Sequence, residues 1–184
     1  MTRAVWFLLD TVGSLLAMAC LLRAYMYWLK MGARDPIGHF VTAITDWMIK
    51  PLRRLMPSSR TIDWPSLAAA VLIAVALAAA IVALSAGAGA MVPGFGAVFL
   101  AAVYWLFKSA VFLLLMLVFA AVVLSWVNPH APMAPTISAL TNPFLMPLRR
   151  VIPLIGGIDL SPMVLIIGLM FLQELLRSVI RPIF

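Results

Sequence analysis

Charge is what this sequence has least of. Asp, Glu, Lys and Arg make up 10% of its 184 residues, against about a quarter in an ordinary soluble domain. No formal charge occurs from Trp64 to Phe107, and none from Ser109 to Leu148. Runs of that length exclude a water-soluble globule as the whole architecture, because roughly 20 apolar residues let a helix cross a bilayer. Cysteine is nearly missing as well. Cys20 stands alone in an apolar stretch, which excludes an intrachain disulfide and a Cys-based metal site. The two histidines, His39 and His130, lie in loops at unrelated positions with no further ligands to complete a site, so neither metal nor cofactor is expected. No nucleophile elbow, phosphate-binding Gly loop, zinc-protease motif or paired carboxylate occurs, which points away from an enzyme.

What is present is apolar surface and a basic excess. Hydrophobic residues make up 65% of the chain, and 13 Lys and Arg outnumber 6 Asp and Glu for a net charge of +7. The basic residues are dispersed among apolar segments and cluster mainly between Lys30 and Arg60. That favours anionic lipid headgroups over nucleic acid, which requires a continuous basic surface. Arg3 followed by an apolar run and Ala17-Met18-Ala19-Cys20 faintly resembles a cleaved signal. Cleavage is not expected: Asp10 interrupts the run, the apolar pattern continues to Trp28, and removal would delete a helix that has a counterpart later in the chain.

That counterpart comes from a duplication. Thr45, Pro51, Leu52, Arg53, Arg54, Pro57, Ile62 and Asp63 recur 96 positions later as Thr141, Pro147, Leu148, Arg149, Arg150, Pro153, Ile158 and Asp159, and Pro36 and Pro132 keep the same register. The predicted architecture is therefore an all-α integral membrane protein with four transmembrane helices, arranged as two parallel helix/interfacial-helix/helix repeats. Residues 1–90 form the first unit, with spans near 5–28 and 64–85 and an interfacial helix near 36–55. Residues 91–184 form the second, with spans near 98–126 and 161–180 and an interfacial segment near 135–152. Gly87, Gly89, Pro93, Gly94 and Gly96 supply the turn between units.

Phe40, Ile44, Trp47, Met48, Leu52 and Leu55 follow helical spacing, with Asp46, Lys50, Arg53 and Arg54 largely on another side. Ile137, Leu140, Phe144, Leu145, Leu148 and Val151 repeat the stripe. Asp35-Pro36 reads as a helix cap and first-turn proline, and Pro51, Pro143 and Pro147 are expected to break these segments into short turns. An even number of spans per unit puts both Arg pairs on one side of the membrane. Lys30, Arg34, Lys50, Arg53, Arg54, Arg60, Arg149 and Arg150 share that side, against Arg3, Arg177 and Arg181 on the other. The positive-inside rule then predicts cytoplasmic Arg-Arg loops with both termini outside.

The run from Asn142 to Pro162, including Pro147-Leu148-Arg149-Arg150, Gly156-Gly157-Ile158-Asp159 and Ser161-Pro162, together with the preceding Ser125-Trp126, resembles the YggT family of small bacterial and plastid membrane proteins. The resemblance extends over essentially the whole chain, since the two-copy arrangement is found in that family. It implies a multi-pass protein of the bacterial inner membrane, in a family linked variously to osmotic tolerance, cell or plastid division and cofactor assembly. In the first copy Ser58-Ser59-Arg60-Thr61 replaces Leu154-Ile155-Gly156-Gly157, so the Gly pair of the motif is missing there.

Arg53, Arg54, Arg149 and Arg150, with Lys50, are the leading lipid- or partner-binding candidates, because an Arg fork matches phosphate or carboxylate bidentately. The plainer reading is that they only anchor an interfacial helix among headgroups. Asp63 and Asp159, just before the second span of each unit, suit helix capping, pairing with the Arg pair of the same unit, or both. Asp10, Arg23 and Glu174 are ionisable groups in or near spans, where such groups are costly. Arg23 is expected to snorkel toward the Arg-Arg side and Glu174 to pair with Arg177, while Asp10 and Glu174 are the candidates for an ion path. The second copy offers no matching charges, which weighs against a symmetric path. The expected function is a non-enzymatic scaffold or assembly factor for envelope or division components, binding anionic lipid, partner membrane proteins or further copies of itself. The alternative is a transporter or channel for ions or small osmolytes.

Overall fold

The computed structural model describes residues 2–31, 35–87, 94–152 and 159–180, with side chains described over 4–31, 35–80, 94–152 and 159–178. Among the described residues the chain is entirely helical: α1 (Thr2–Trp28), α2 (Pro36–Leu55), α3 (Trp64–Gly87), α4 (Phe95–Val127), α5 (Ala134–Val151) and α6 (Ser161–Ile180). Three helices are long and apolar enough to cross a membrane, over Ala4–Trp28, Phe95–Val127 and Ser161–Ser178. Helix α3 adds a shorter apolar stretch, Trp64–Ala80. These helices are apolar on nearly every side. One face packs inward, while Phe7, Leu8, Phe99, Phe119, Met170 and Phe171 remain exposed on the outside, a surface suited to hydrocarbon rather than water.

The helices α1 and α3 form the most extensive contact. Small residues allow it: Ala69, Ala70, Ala74 and Ala78 of α3 are buried, and a Cβ at Gly13 of α1 would come within 2.8 Å of the Leu77 methyl carbons. The same stretch of α3 also meets α4, where Ala74, Leu77 and Ala78 join Ala101, Ala102 and Trp105, and Trp6 stands edge-on to Trp105 at 5.8 Å. A second cluster, Leu22, Met26, Val41, Leu117 and Leu140, draws on α1, α2, α4 and α5 and ties both interfacial helices to one bundle.

The interfacial helices depart from expectation at their prolines. Helix α2 runs unbroken through Pro51, and α5 through Pro143 and Pro147. Each proline removes one donor and frees the carbonyl four residues earlier, at Trp47, Ala139 and Pro143. The three prolines and those residues all lie on the exposed side, away from the packed core. The opposite side, with Thr45 and Ile49 or Thr141 and Leu145, is buried and holds the helix together.

The apolar stripe of α2 also divides into two. The side packed on the bundle is Gly38, Val41, Thr45 and Ile49, whereas Phe40, Ile44, Trp47 and Leu55 are exposed. At about 100° per residue these groups occupy different sectors, with His39, Asp46, Lys50, Arg53 and Arg54 in a third. Helix α2 thus has one face packed on protein, one exposed and apolar, and one exposed and polar. Asp35 does occupy the cap position, and its carbonyl accepts the His39 N–H at 2.9 Å, but its carboxylate makes no capping bond.

Helix α1 stops in a turn that would ordinarily take glycine. Lys30 has φ 55°, while the Met31 N–H bonds back to the Met26 carbonyl at 2.9 Å and the Lys30 N–H to Tyr27 at 3.0 Å. This is a Schellman-type ending with a lysine in the left-handed position.

Candidate interfacial site

Helices α2 and α5 each carry an Arg pair in their last turn, where positive charge complements the helix dipole. The geometry separates the two members of each pair. Arg53 turns toward Asp63, with Nη2 at 3.7 Å from Oδ2, and Arg149 toward Asp159, with Nε donating to Oδ2 at 2.7 Å. Each contact closes the interfacial helix onto the residues that start the following helix. Arg54 and Arg150 are exposed, and among the described residues neither has a carboxylate within ion-pair distance. Lys50 is exposed too, and its Nζ lies 3.0 Å from Asp46.

The two aspartates are held differently. Asp63 is 1% exposed and accepts hydroxyl hydrogen bonds from Ser66 at 2.6 Å and Ser58 at 3.0 Å. Its backbone carbonyl receives the Leu67 N–H and so begins α3. Asp159 caps α6 through its side chain, accepting the Ser161 N–H at 2.9 Å. Burial pushes the Asp159 carboxyl up, but the Ser161 hydrogen bonding and the Arg149 guanidinium outweigh it and hold the group below the ordinary value. Asn142 adds a further acceptor for Arg149 at 3.3 Å. Gly156 and Gly157 lie outside the described residues.

A polar network that sequence reasoning missed lies one turn deeper. Arg23, 11% exposed, donates to Thr45 Oγ1 and to Asp46 Oδ1, both at 2.8 Å. It does reach toward the Arg-Arg side as expected, but it ends on α2 rather than in water. The Thr45 hydroxyl donates a hydrogen bond to the Val41 carbonyl at 2.7 Å, and the Thr141 hydroxyl does the same to Ile137 at 2.9 Å. The Lys50 and Arg23 hydrogen bonds hold the Asp46 carboxyl below the usual range. Two signals were available: an arginine in a span needs a partner, and Thr45 and Thr141 keep one register inside otherwise apolar stripes.

The two units also meet here. The Tyr25 hydroxyl of α1 donates to the Leu140 carbonyl of α5 at 2.8 Å, and its ring stacks on Trp28 and leans on Phe144 at about 6 Å. Tyr27 donates to the Ser59 carbonyl at 2.9 Å, pinning the loop that follows α2.

Asp10 and Glu174 have different surroundings among the described residues. Asp10 accepts a bond from Ser14 at 3.2 Å. Glu174 lies elsewhere, in a polar cleft between α4 and α6 lined with Tyr104, Lys108, Gln173 and Arg177. Glu174 and Arg177, expected as a pair, are not within ion-pair distance, and Lys108 sits 4.8 Å over the Trp105 ring. Among the described residues no group of three potential metal ligands occurs.

The sequence matches a known family model, described as CCB3/YggT, over residues 2–84 and again over 100–180. The chain belongs to the CCB3/YggT family. The double match is consistent with the tandem repeat. A Vibrio alginolyticus protein described as an uncharacterized protein in the proC 3' region is 35% identical over 179 residues, covering 96% of this chain and 95% of its own. The Escherichia coli K12 protein described as uncharacterized protein YggT is 33% identical over 162 residues, 88% of this chain and 82% of its own. A Pseudomonas aeruginosa protein, also described as uncharacterized, is 32% identical over 178 residues, 94% of this chain and 87% of its own. No solved structure matches the chain significantly.

Proposed function

We propose that this CCB3/YggT protein is a non-enzymatic scaffold of the bacterial inner membrane, with α3 as a fourth span, that docks anionic lipid and partner membrane proteins on its paired interfacial helices. The observation that carries this reading is the division within each Arg pair. Arg53 and Arg149 are tied to aspartates, while Arg54 and Arg150 present guanidinium groups outward without a carboxylate partner among the described residues. Two such groups on one side of the membrane suit phosphates or acidic partner residues. The basic excess of that side favours the cytoplasmic leaflet. Envelope or division components and further copies of this chain are the partners the family resemblance suggests.

Purification in mild detergent, followed by mass spectrometry of retained proteins and lipids, tests the proposal. Wild-type protein should retain anionic lipid and a reproducible set of membrane proteins, and Arg54→Gln with Arg150→Gln should lose both. Identical retention by the variant would remove the proposal. The transport alternative has its own support in the polar cleft around Glu174. It predicts solute flux by the purified chain in liposomes that falls in Asp10→Asn and Glu174→Gln, and robust flux without any partner would favour it over the scaffold.

A further inference from the structure

An apolar groove of about 610 Å³ opens where the two units meet, between α1, α4 and α6. That is within the range of about 300–1,000 Å³ found for small-molecule sites. Its walls are almost wholly hydrocarbon, and its polar features gather at one end. Trp28, Asp63 and Phe144 lie at the level of the interfacial helices, and Phe107, Ala110 and Leu172 lie deeper. Along α4 the lining extends from Leu117 to Phe107, about 15 Å at the helical rise of 1.5 Å per residue. That equals half of a hydrocarbon core of about 30 Å, the depth of a single leaflet. Charge marks the entrance: Asp63 at the groove carries Arg53, and Arg149 is bound to Asp159 at the start of α6, whose Leu165 also lines the groove. Arg53 thereby ends on a lining residue and Arg149 is anchored at the start of a lining helix, while the arginines themselves stand outside the lining.

We propose that this groove holds one acyl chain of an anionic phospholipid, with the headgroup phosphate at the interface between the Arg pairs. The proposal rests on the lipid-binding reading above and adds the site and the part of the molecule bound. Three features select this occupant over a bare ion or a soluble metabolite: the one-leaflet depth, the apolar lining, and the Arg–Asp pairs held where lining elements begin. The rim formed by Tyr25, Trp28 and Phe144 is fixed by mutual ring contacts and by the Tyr25 hydrogen bond to Leu140. The entrance is thus built across both units, and neither unit alone supplies it.

The test is native mass spectrometry of the full chain in mild detergent with dioleoyl phosphatidylglycerol. One lipid should remain bound. Lysophosphatidylglycerol, with a single chain, should displace it, whereas glycerol phosphate should not. Ala110→Phe places a ring in the groove at an exposed position and should weaken retention by about tenfold or more through lost methylene burial. Displacement by glycerol phosphate, or unchanged retention in Ala110→Phe, would overturn the groove while leaving headgroup binding intact. The competition arm uses wild-type protein and is independent of how the variant folds. Chain-dependent retention that ignores both charge and Arg54→Gln/Arg150→Gln would overturn the anionic half, and the interfacial lipid reading with it. A dimer that Ala110→Phe dissociates, with lipid binding unaltered, would give the groove to a second copy and overturn the proposal.

Discussion

The two units share one order of long helix, amphipathic helix and apolar helix but fasten their amphipathic helices by different means. In the first, a charge from the span reaches sideways: Arg23 of α1 holds Asp46 and Thr45 of α2. Ninety-six positions later Phe119 and Asn142 stand in place of Arg23 and Asp46, so that ion pair cannot form. The second unit instead tightens the latch at the end of its helix, where Arg149 meets Asp159 at 2.7 Å while Arg53 stays 3.7 Å from Asp63. It also borrows a hydrogen bond from the first unit, Tyr25 to Leu140. A duplicated fold thus keeps its apolar register and its buried threonines while its charges are redistributed.

The largest difference between the units is expected at Arg23. Arg23→Met should destabilise the protein by about 1.5–3 kcal/mol, the worth of hydrogen bonds to a charged group, whereas Asn142→Ala in the second unit should change little. Thermal unfolding in detergent measures both. Asp63→Ala comes next. It leaves the buried Ser66 hydroxyl without its acceptor and should cost about 1–3 kcal/mol, with a smaller loss for Asp159→Asn at the more exposed latch. Thr45→Val and Thr141→Val should each cost about 0.5–1.5 kcal/mol, with Thr45 the larger because it also receives Arg23. Lys30→Gly, at the left-handed end of α1, should stabilise by about 1 kcal/mol. Acidification should act last and most weakly. Asp46 and Asp159 have lowered values in the folded protein, so their contributions are present above the ordinary aspartate value of about 3.9 and vanish as pH falls through the folded values. A melting temperature unchanged between neutral pH and that range, but falling below it, is the expected profile.

Much of the architecture was legible because its signals are local. Apolar runs and a constant register place α1, α4 and α6, both interfacial helices and the Arg pairs without any tertiary information. The proline effect was not legible. Whether Pro51 or Pro147 breaks a helix depends on which side its freed carbonyl faces, and that is set by packing. The three-sided character of α2 was hidden for a related reason: Val41 and Ile44 look alike in hydropathy, but only one faces the bundle. Arg23 and Asp46 were visible as separate anomalies, and their pairing required knowing where α1 and α2 cross. The groove is less legible still, because its lining comes from five helices and the loop before α3.

On the proposed reading each Arg pair is divided, one arginine latching the fold and the other facing lipid or a partner. This division is tested most directly in nanodiscs containing phosphatidylglycerol, by measuring the melting temperature and the anionic lipid retained on extraction for two double variants. Arg53→Gln/Arg149→Gln should lower the melting temperature and keep the lipid, and Arg54→Gln/Arg150→Gln should keep the melting temperature and lose the lipid. The same response from both variants, or the reverse assignment, would contradict the division.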